Sequence, residues 1–496
     1  MSAVPKKALA PSAHGFEYRA GTVLKAFFAI TCVFYAVLAF DYFLGFGAGR
    51  EGLWMRLFAA LVSREHAFGE GSVHVEQAVA YREGLEFLLM HTMMGAVAMA
   101  LGPLQFSNRL RRRYPALHRT AGKTYLVGAV LSMFGGLAYL FTTPMTAVFS
   151  GAMFFVALVG LDVMVLVTAW LAFAAVRRRA FGEHRSWMAF NFGLLLGTPV
   201  LRLLWIAFGW VFPGEVQTAT NLAITTFLLP LCVTGMLWWV AAQHGDMQPR
   251  AFEPGAASLA RWRRVGQVAL AAGIAVLAFA YVLRFVVPIA SIAWLTADGG
   301  PNDAARFAAA WPLFVLYALA GATAMATSLD AVAAVACGRR PRRRFHAACI
   351  ATAITGGLLA AARGADLPGG WPAMFYWWAL AGLWSFAVLL ALRAARAGRT
   401  LVARDWTVYS AALAWLPLSV IPQAPLWELL EVMDADTAMQ TAVTLSFIGH
   451  YLIAHLAITR LLDRPRQIRG RSTMPGSAHL SVHDRDMPTG GHFPVT

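Results

Sequence analysis

Charge is what this sequence has least of. Only 13% of its residues are Asp, Glu, Lys or Arg, about half the ~25% of an ordinary soluble domain. That scarcity excludes a water-soluble surface of the usual kind. The 59% hydrophobic content of the 496 residues is carried in long apolar runs rather than one large core, which marks a polytopic membrane protein. Cysteine is also sparse. Cys32, Cys232, Cys337 and Cys349 lie in or beside apolar runs with no C-x-x-C spacing, so they read as buried small hydrophobes, not as a disulfide framework or a zinc site. A cleavable signal is lacking too. The first apolar run, about Thr22 to Phe46, is too long for a signal core and has no small-residue cleavage site, so it is expected to be a retained span.

Twelve apolar segments are expected to cross the bilayer: Thr22–Phe46, Gly84–Phe106, Thr120–Thr143, Val148–Val176, Trp187–Phe212, Thr218–Ala242, Val265–Val287, Ala308–Cys337, Phe345–Ala365, Ala373–Ala397, Thr407–Gln423 and Ala438–Arg460. At 1.5 Å rise per residue, about 20 residues cross a core of roughly 30 Å. The eleventh is short and runs into IPQAP.

Lys and Arg, 41 against 25 Asp and Glu, fall in every second connection: RLRRR at 109–113, RRR at 177–179, RWRR at 261–264, RRPRRR at 339–344 and the stretch 393–404. The alternate connections are mixed or acidic. By the positive-inside rule both termini are cytoplasmic. The basicity is thus topological. The expected partner is the lipid bilayer of a bacterial cytoplasmic (inner) membrane, and nucleic acid is not expected.

The chain reads as an internal duplication. AVLAFDYFLGF at 36–46 matches AVLAFAYVLRF at 275–285, and GAVAMA at 95–100 matches GATAMA at 321–326. Trp187 with Pro199 resembles Trp406 with Pro417. The expected architecture is an all-α helix bundle of two parallel six-helix repeats, 22–245 and 264–463, with a tail at 1–21, a cytoplasmic linker at 246–263 and a disordered cytoplasmic tail at 464–496. Even-numbered units give parallel repeats. His91 aligns with Tyr317, Asp41 with Ala280, Asp162 with the apolar region around Leu383, and Arg202 with the region of Ile421. The polar residues belong to the first half.

Ionisable groups inside a span are costly and raise a functional hypothesis. His91, Asp162 and Arg202 each lie about 14–15 residues from the basic end of their spans, roughly 21–23 Å deep. They are expected to form a buried polar cluster at one level. It is either an ion pair that fixes helix packing or a pocket for a ligand, a proton or a cofactor edge. His118–Arg119 and His184–Arg185 are expected to form a second cluster at the cytoplasmic rim, suited to anionic lipid headgroups or phosphate. His91, His118 and His184 are also the candidates for cofactor binding, with haem b as the cofactor. His450 and His455 are about 140° apart on their helix, so no metal clamp is expected there.

At the opening of the third span the residues meet a family. His91, Gly95, Gly102–Phe106, Arg109–Arg113, Pro115, His118, Arg119, Gly122 and Tyr125, then His184, Arg185, Trp187 and Met188, resemble the uncharacterised bacterial membrane family catalogued as domain of unknown function 2306, over roughly residues 80–210. The family often has an arginine two residues past that methionine, and this chain has Phe190. The resemblance implies fold and topology more than activity. Three functions stay open: a haem- or cofactor-binding membrane redox protein, a small-molecule transporter or permease, and a structural or assembly protein. Whether the chain is an enzyme stays open with them.

Overall fold

The computed structural model describes residues 11–243, 301–363 and 370–462. The expected seventh span, the linker at 246–263, the match at 275–285, residues 1–10 of the first tail and all of the second lie outside these residues, and residues 11–21 of the expected first tail belong to α1. Within them the chain is helical, with no strand. α1 (Pro11–Gly47) is followed by four short helices, α2 (Leu53–Leu61), α3 (Arg64–Phe68), α4 (Val73–Glu76) and α5 (Ala78–Glu83). Next come α6 (Leu85–Gln105), α7 (Asn108–Arg113), α8 (Pro115–Thr142), α9 (Gly151–Arg177), α10 (Phe181–Leu195), α11 (Gly197–Val211) and α12 (Gln217–Gln243). The second half holds α13 (Pro301–Ala336), α14 (Arg343–Arg363), α15 (Gly370–Arg396), α16 (Thr400–Leu413), α17 (Leu416–Leu429) and α18 (Ala435–Leu456).

Ten segments among the described residues are long and apolar enough to cross a membrane, α10 with α11 counting as one of them. The eleventh expected span is not one helix. It is α16 followed by α17, 14 residues each. Each reaches only about 21 Å, short of a roughly 30 Å core. Pro417, Pro422 and Pro425 remove backbone donors and bend the chain there. Twelve spans were expected; the described residues hold ten.

Small residues let the helices approach closely, while part of the large apolar surface faces outward. On α8, Val127, Phe134 and Phe141 are exposed. Another face of the same helix carries Gly128, Gly135 and Gly136, which lie against the backbone or side chains of α6 and α9. A Cβ at Gly135 would sit 2.7 Å from the His91 amide nitrogen and 2.8 Å from the Phe87 carbonyl, so only glycine allows this approach. Close backbone packing at small residues is how helices associate in lipid, where apolar burial gives little drive.

The two halves share boundaries. α9 and α15 are both 27 residues long, and Gly151–Arg177 and Gly370–Arg396 are 219 residues apart at both ends. The starts of α10 and α16, and of α11 and α17, keep the same interval. So do the left-handed turn residues Arg179 (φ 60°) and Gly398 (φ 74°). Packing is reciprocal as well: α12 lies on α15, α18 lies on α9, and α12 meets α18. One hydrophobic core runs through both halves, with Trp187, Ile224 and Met236 from one side and Ala387, Tyr409 and Tyr451 from the other.

Candidate polar site and arginine-rich rim

His91 is held by a two-way exchange between α6 and α8. Its Nδ1 lies 2.8 Å from the Ser132 carbonyl, and Ser132 Oγ donates to the His91 carbonyl at 2.7 Å. The ring therefore donates from Nδ1 and leaves Nε2 without a hydrogen bond among the described residues. Gly136, one turn along α8, is the floor on which His91 meets Asp162. A Cβ there would fall 2.5 Å from Asp162 Oδ2 and 2.9 Å from His91 Nδ1. Asp162 projects from α9 and is 4% exposed. Among the described residues it makes no ion pair.

Arg202 is not its partner, contrary to the ion pair that equal depth suggested. Its guanidinium stacks on Trp205 at 4.8 Å and on Tyr35 at 5.8 Å. It lines a cleft of about 30 Å³ with Tyr42, Trp54, Tyr81 and Thr92. The reason is azimuth. α11 turns Arg202 toward α1 and α5, while α9 turns Asp162 toward α6 and α8. Of the expected triad, Asp162 and His91 are neighbours across Gly136 without a hydrogen bond or ion pair between them, and Arg202 stays within electrostatic reach of His91.

At the arginine-rich end, His118 and His184 lie within electrostatic reach of each other, and His118 also feels Arg111 and Arg119. His184 Nδ1 is 2.9 Å from the Ala172 carbonyl, while His118 Nδ1 is sealed without a partner. Arg119 is exposed, and Arg185 lies near Arg111. Glu183 is the acid among them, taking Arg178 at 3.1 Å and Arg460, from the second half, at 3.3 Å.

Several polar residues that carry the structure were not singled out in the sequence. Asn191 is fully buried. It donates to the Val165 carbonyl and to Thr168 Oγ1, both at 2.9 Å, and accepts from Tyr125 at 2.7 Å. His455 joins the halves: Ser186 lies 3.1 Å from its Nε2 and the Tyr409 hydroxyl meets its Nδ1. Phe190, where the resembling family has arginine, packs against His455 at 5.0 Å between ring centres. An arginine there would meet a histidine already satisfied.

Haem at His91, His118 or His184 finds no support among the described residues. His91 presents its ring as an axial ligand would, with Nδ1 on a carbonyl. However, no second histidine faces it among the described residues. The nearby cleft of about 30 Å³ is far below the roughly 300–1,000 Å³ of cofactor pockets. No group of three or more His, Cys, Asp or Glu suits a metal ion among the described residues.

Fold and site together define a polytopic helical membrane protein with a polar interior in its first half. Residues 88–239 match the model of a family described as "Predicted membrane protein (DUF2306)". The expected resemblance over 80–210 is thus found, and it extends through α12. No curated protein and no solved structure matches the chain.

Proposed function

We propose that this chain is a proton-linked transporter of a small solute, built from two parallel six-helix repeats, with its working site in the first. The observation that carries the reading is Asp162, 4% exposed, with no ion pair among the described residues and with the His91 ring beside it across Gly136. An ionised carboxylate costs too much in such a place. The group is stable there with a proton on it, or when a cation comes to it. Across Gly136, Nε2 of the His91 imidazole is the open site for exchanging such a proton, its Nδ1 being held by the Ser132 carbonyl. A purely structural role would call for a permanent partner, and a packing ion pair with Arg202 is not present.

The bends support the same reading. α10–α11 and α16–α17 are interrupted at matching places, beside Pro199 and Pro417. Paired interruptions in two repeats are a pointer to a transport site. The 219-residue register and the reciprocal packing of α12 on α15 and α18 on α9 support the repeat itself. Charge bias supports a cytoplasmic arginine-rich end, where His118, Arg119, His184 and Arg185 suit anionic lipid headgroups.

Proteoliposomes with a trapped pH dye, challenged with a panel of membrane-impermeant organic anions, test the proposal. Wild type is expected to move protons with at least one of them, and Asp162→Asn, which keeps the shape, to abolish the response. An equal response in the two proteins, or none in wild type across the panel, overturns it.

A further inference from the structure

We propose that the cleft around Arg202 is a binding site for an organic monocarboxylate. This deepens the transport reading by naming a substrate class, but binding itself does not depend on that reading.

Three observations meet here. Arg202 makes no ion pair among the described residues, and none of the residues lining the cleft is acidic. The nearest acid of α1, Asp41, is engaged by Arg50 at 2.9 Å and by the Leu53 amide. Thr92, 7% exposed, has a hydroxyl sealed without a hydrogen-bond partner, and it lines the same cleft. Finally, the π faces of Trp205 and Tyr35 hold the guanidinium, which leaves its N–H edge for an acceptor lying in its plane.

The chemistry of the ligand follows. A partly buried cation with no counter-ion is completed by an anion. The planar fork of guanidinium matches a carboxylate with two parallel bonds. One positive charge suits a monoanion; a phosphate dianion would bring a second charge with nothing opposite it. Thr92 supplies a third donor to a carboxylate oxygen. The remaining wall is Trp54, Trp205 and the tyrosine rings, which suits an apolar body attached to the carboxylate. The cleft itself holds about 30 Å³, space for one or two waters. The carboxylate head displaces them and the body extends outward. Such a head can come from a water-soluble acid or from a fatty acid in the bilayer.

Titration calorimetry on the full chain in nanodiscs tests this, with benzoate and laurate as the two probes and benzyl alcohol as the uncharged control. Saturable benzoate binding, absent for benzyl alcohol, is the expected result. Laurate binding without benzoate binding assigns the site to a bilayer acid and also supports the proposal. Arg202→Gln is expected to weaken binding about tenfold or more, and Thr92→Val about two- to tenfold. Thr92→Val keeps side-chain volume and removes no charge, so it carries the test if Arg202→Gln does not fold. No saturable binding of either acid, benzyl alcohol binding as tightly as both acids, or both folded variants binding like wild type, overturns the inference. Binding without any solute-driven proton movement in liposomes retains this site and removes the transport reading.

Discussion

At Gly136 a hydrogen atom stands where any other residue would put a methyl group between Asp162 and His91. Gly136→Ala should therefore force both side chains aside. A cost of about 1–3 kcal/mol is expected, as for other overpacked sites, read as a lowered midpoint in thermal unfolding in detergent. Gly357→Ala is the control. Its Cβ would meet nothing closer than Trp378 at 3.7 Å, so it should leave the midpoint unchanged or raise it slightly. Sequence alone singled out His91 and Asp162 from depth, because residue count along a helix translates directly into height. It could not give azimuth. Arg202 stacks on Trp205 and Tyr35 and makes no ion pair with Asp162, and only packing decides that. Gly136, one of 43 glycines, reads in sequence as a small residue that lets helices approach, not as the spacer between two side chains. Asn191 was equally hidden: its importance lies in meeting Tyr125 and Thr168 from two other helices.

Among elements, the short helices α2–α5 form a cap on the end opposite the arginines. They are tied to the bundle by Val73 N donating to Gln217 Oε1 at 3.0 Å, and by Trp210 Nε1 donating to the Leu61 carbonyl at 2.7 Å. His66 and His74 are inside this cap, each edge-on to a phenylalanine, with His66 Nε2 and His74 Nδ1 sealed from any partner. Burial holds both imidazoles below their usual value of 6.5. The folded cap thus binds fewer protons than the unfolded one, and its stability falls as pH drops through about 6.5 toward the lowered folded values. Protection factors for amide exchange across residues 53–83, corrected for the intrinsic pH dependence of exchange, should fall on going from pH 7.5 to 5.5, and His66→Phe with His74→Phe should flatten that dependence. The long helices were legible because apolar length is written locally. The cap was not, since its helices are too short for a periodic pattern. Nor was the division of the eleventh segment, where the helix breaks at Ala414–Trp415 just before Pro417 in a run that composition alone presents as continuous.

Over the whole molecule, the two halves are joined by few but buried polar contacts. Thr234 and Tyr451 share a hydrogen bond of 2.7 Å, and Arg399 donates to the Ala241 carbonyl at 2.5 Å. Tyr451→Phe removes the first while keeping the ring, and should lower stability by about 0.5–1.5 kcal/mol in the same unfolding assay. Co-expression of the chain as two pieces, 1–250 and 251–496, should give fragments that co-purify, because one core runs through both. Failure of the tagged first piece to retain the second would count against a shared core. Motif pairs such as GAVAMA and GATAMA are what the sequence offers toward a repeat. The pairing of α12 with α18 was not, because contacts between distant helices leave no spacing to read.

That α12–α18 seam bears on how such a chain could come about. α12 is the most buried of the ten candidate spans, and α15 and α18, both from beyond residue 300, cover part of it. The family match stops at residue 239, close to where α12 ends. A protein made of the first six helices alone would leave this face bare, and a second copy turned about the same axis would fill it. On the proposed reading of two repeats, the ancestral form is expected to be a homodimer whose two genes later fused. On the same reading the second copy carries Tyr317 where the first carries His91, with a ring that would lie 3.1 Å from a Cβ at Gly356. Light scattering on a detergent-solubilised chain truncated after α12 should report two copies, and a monodisperse monomer would argue that the halves were never equal partners.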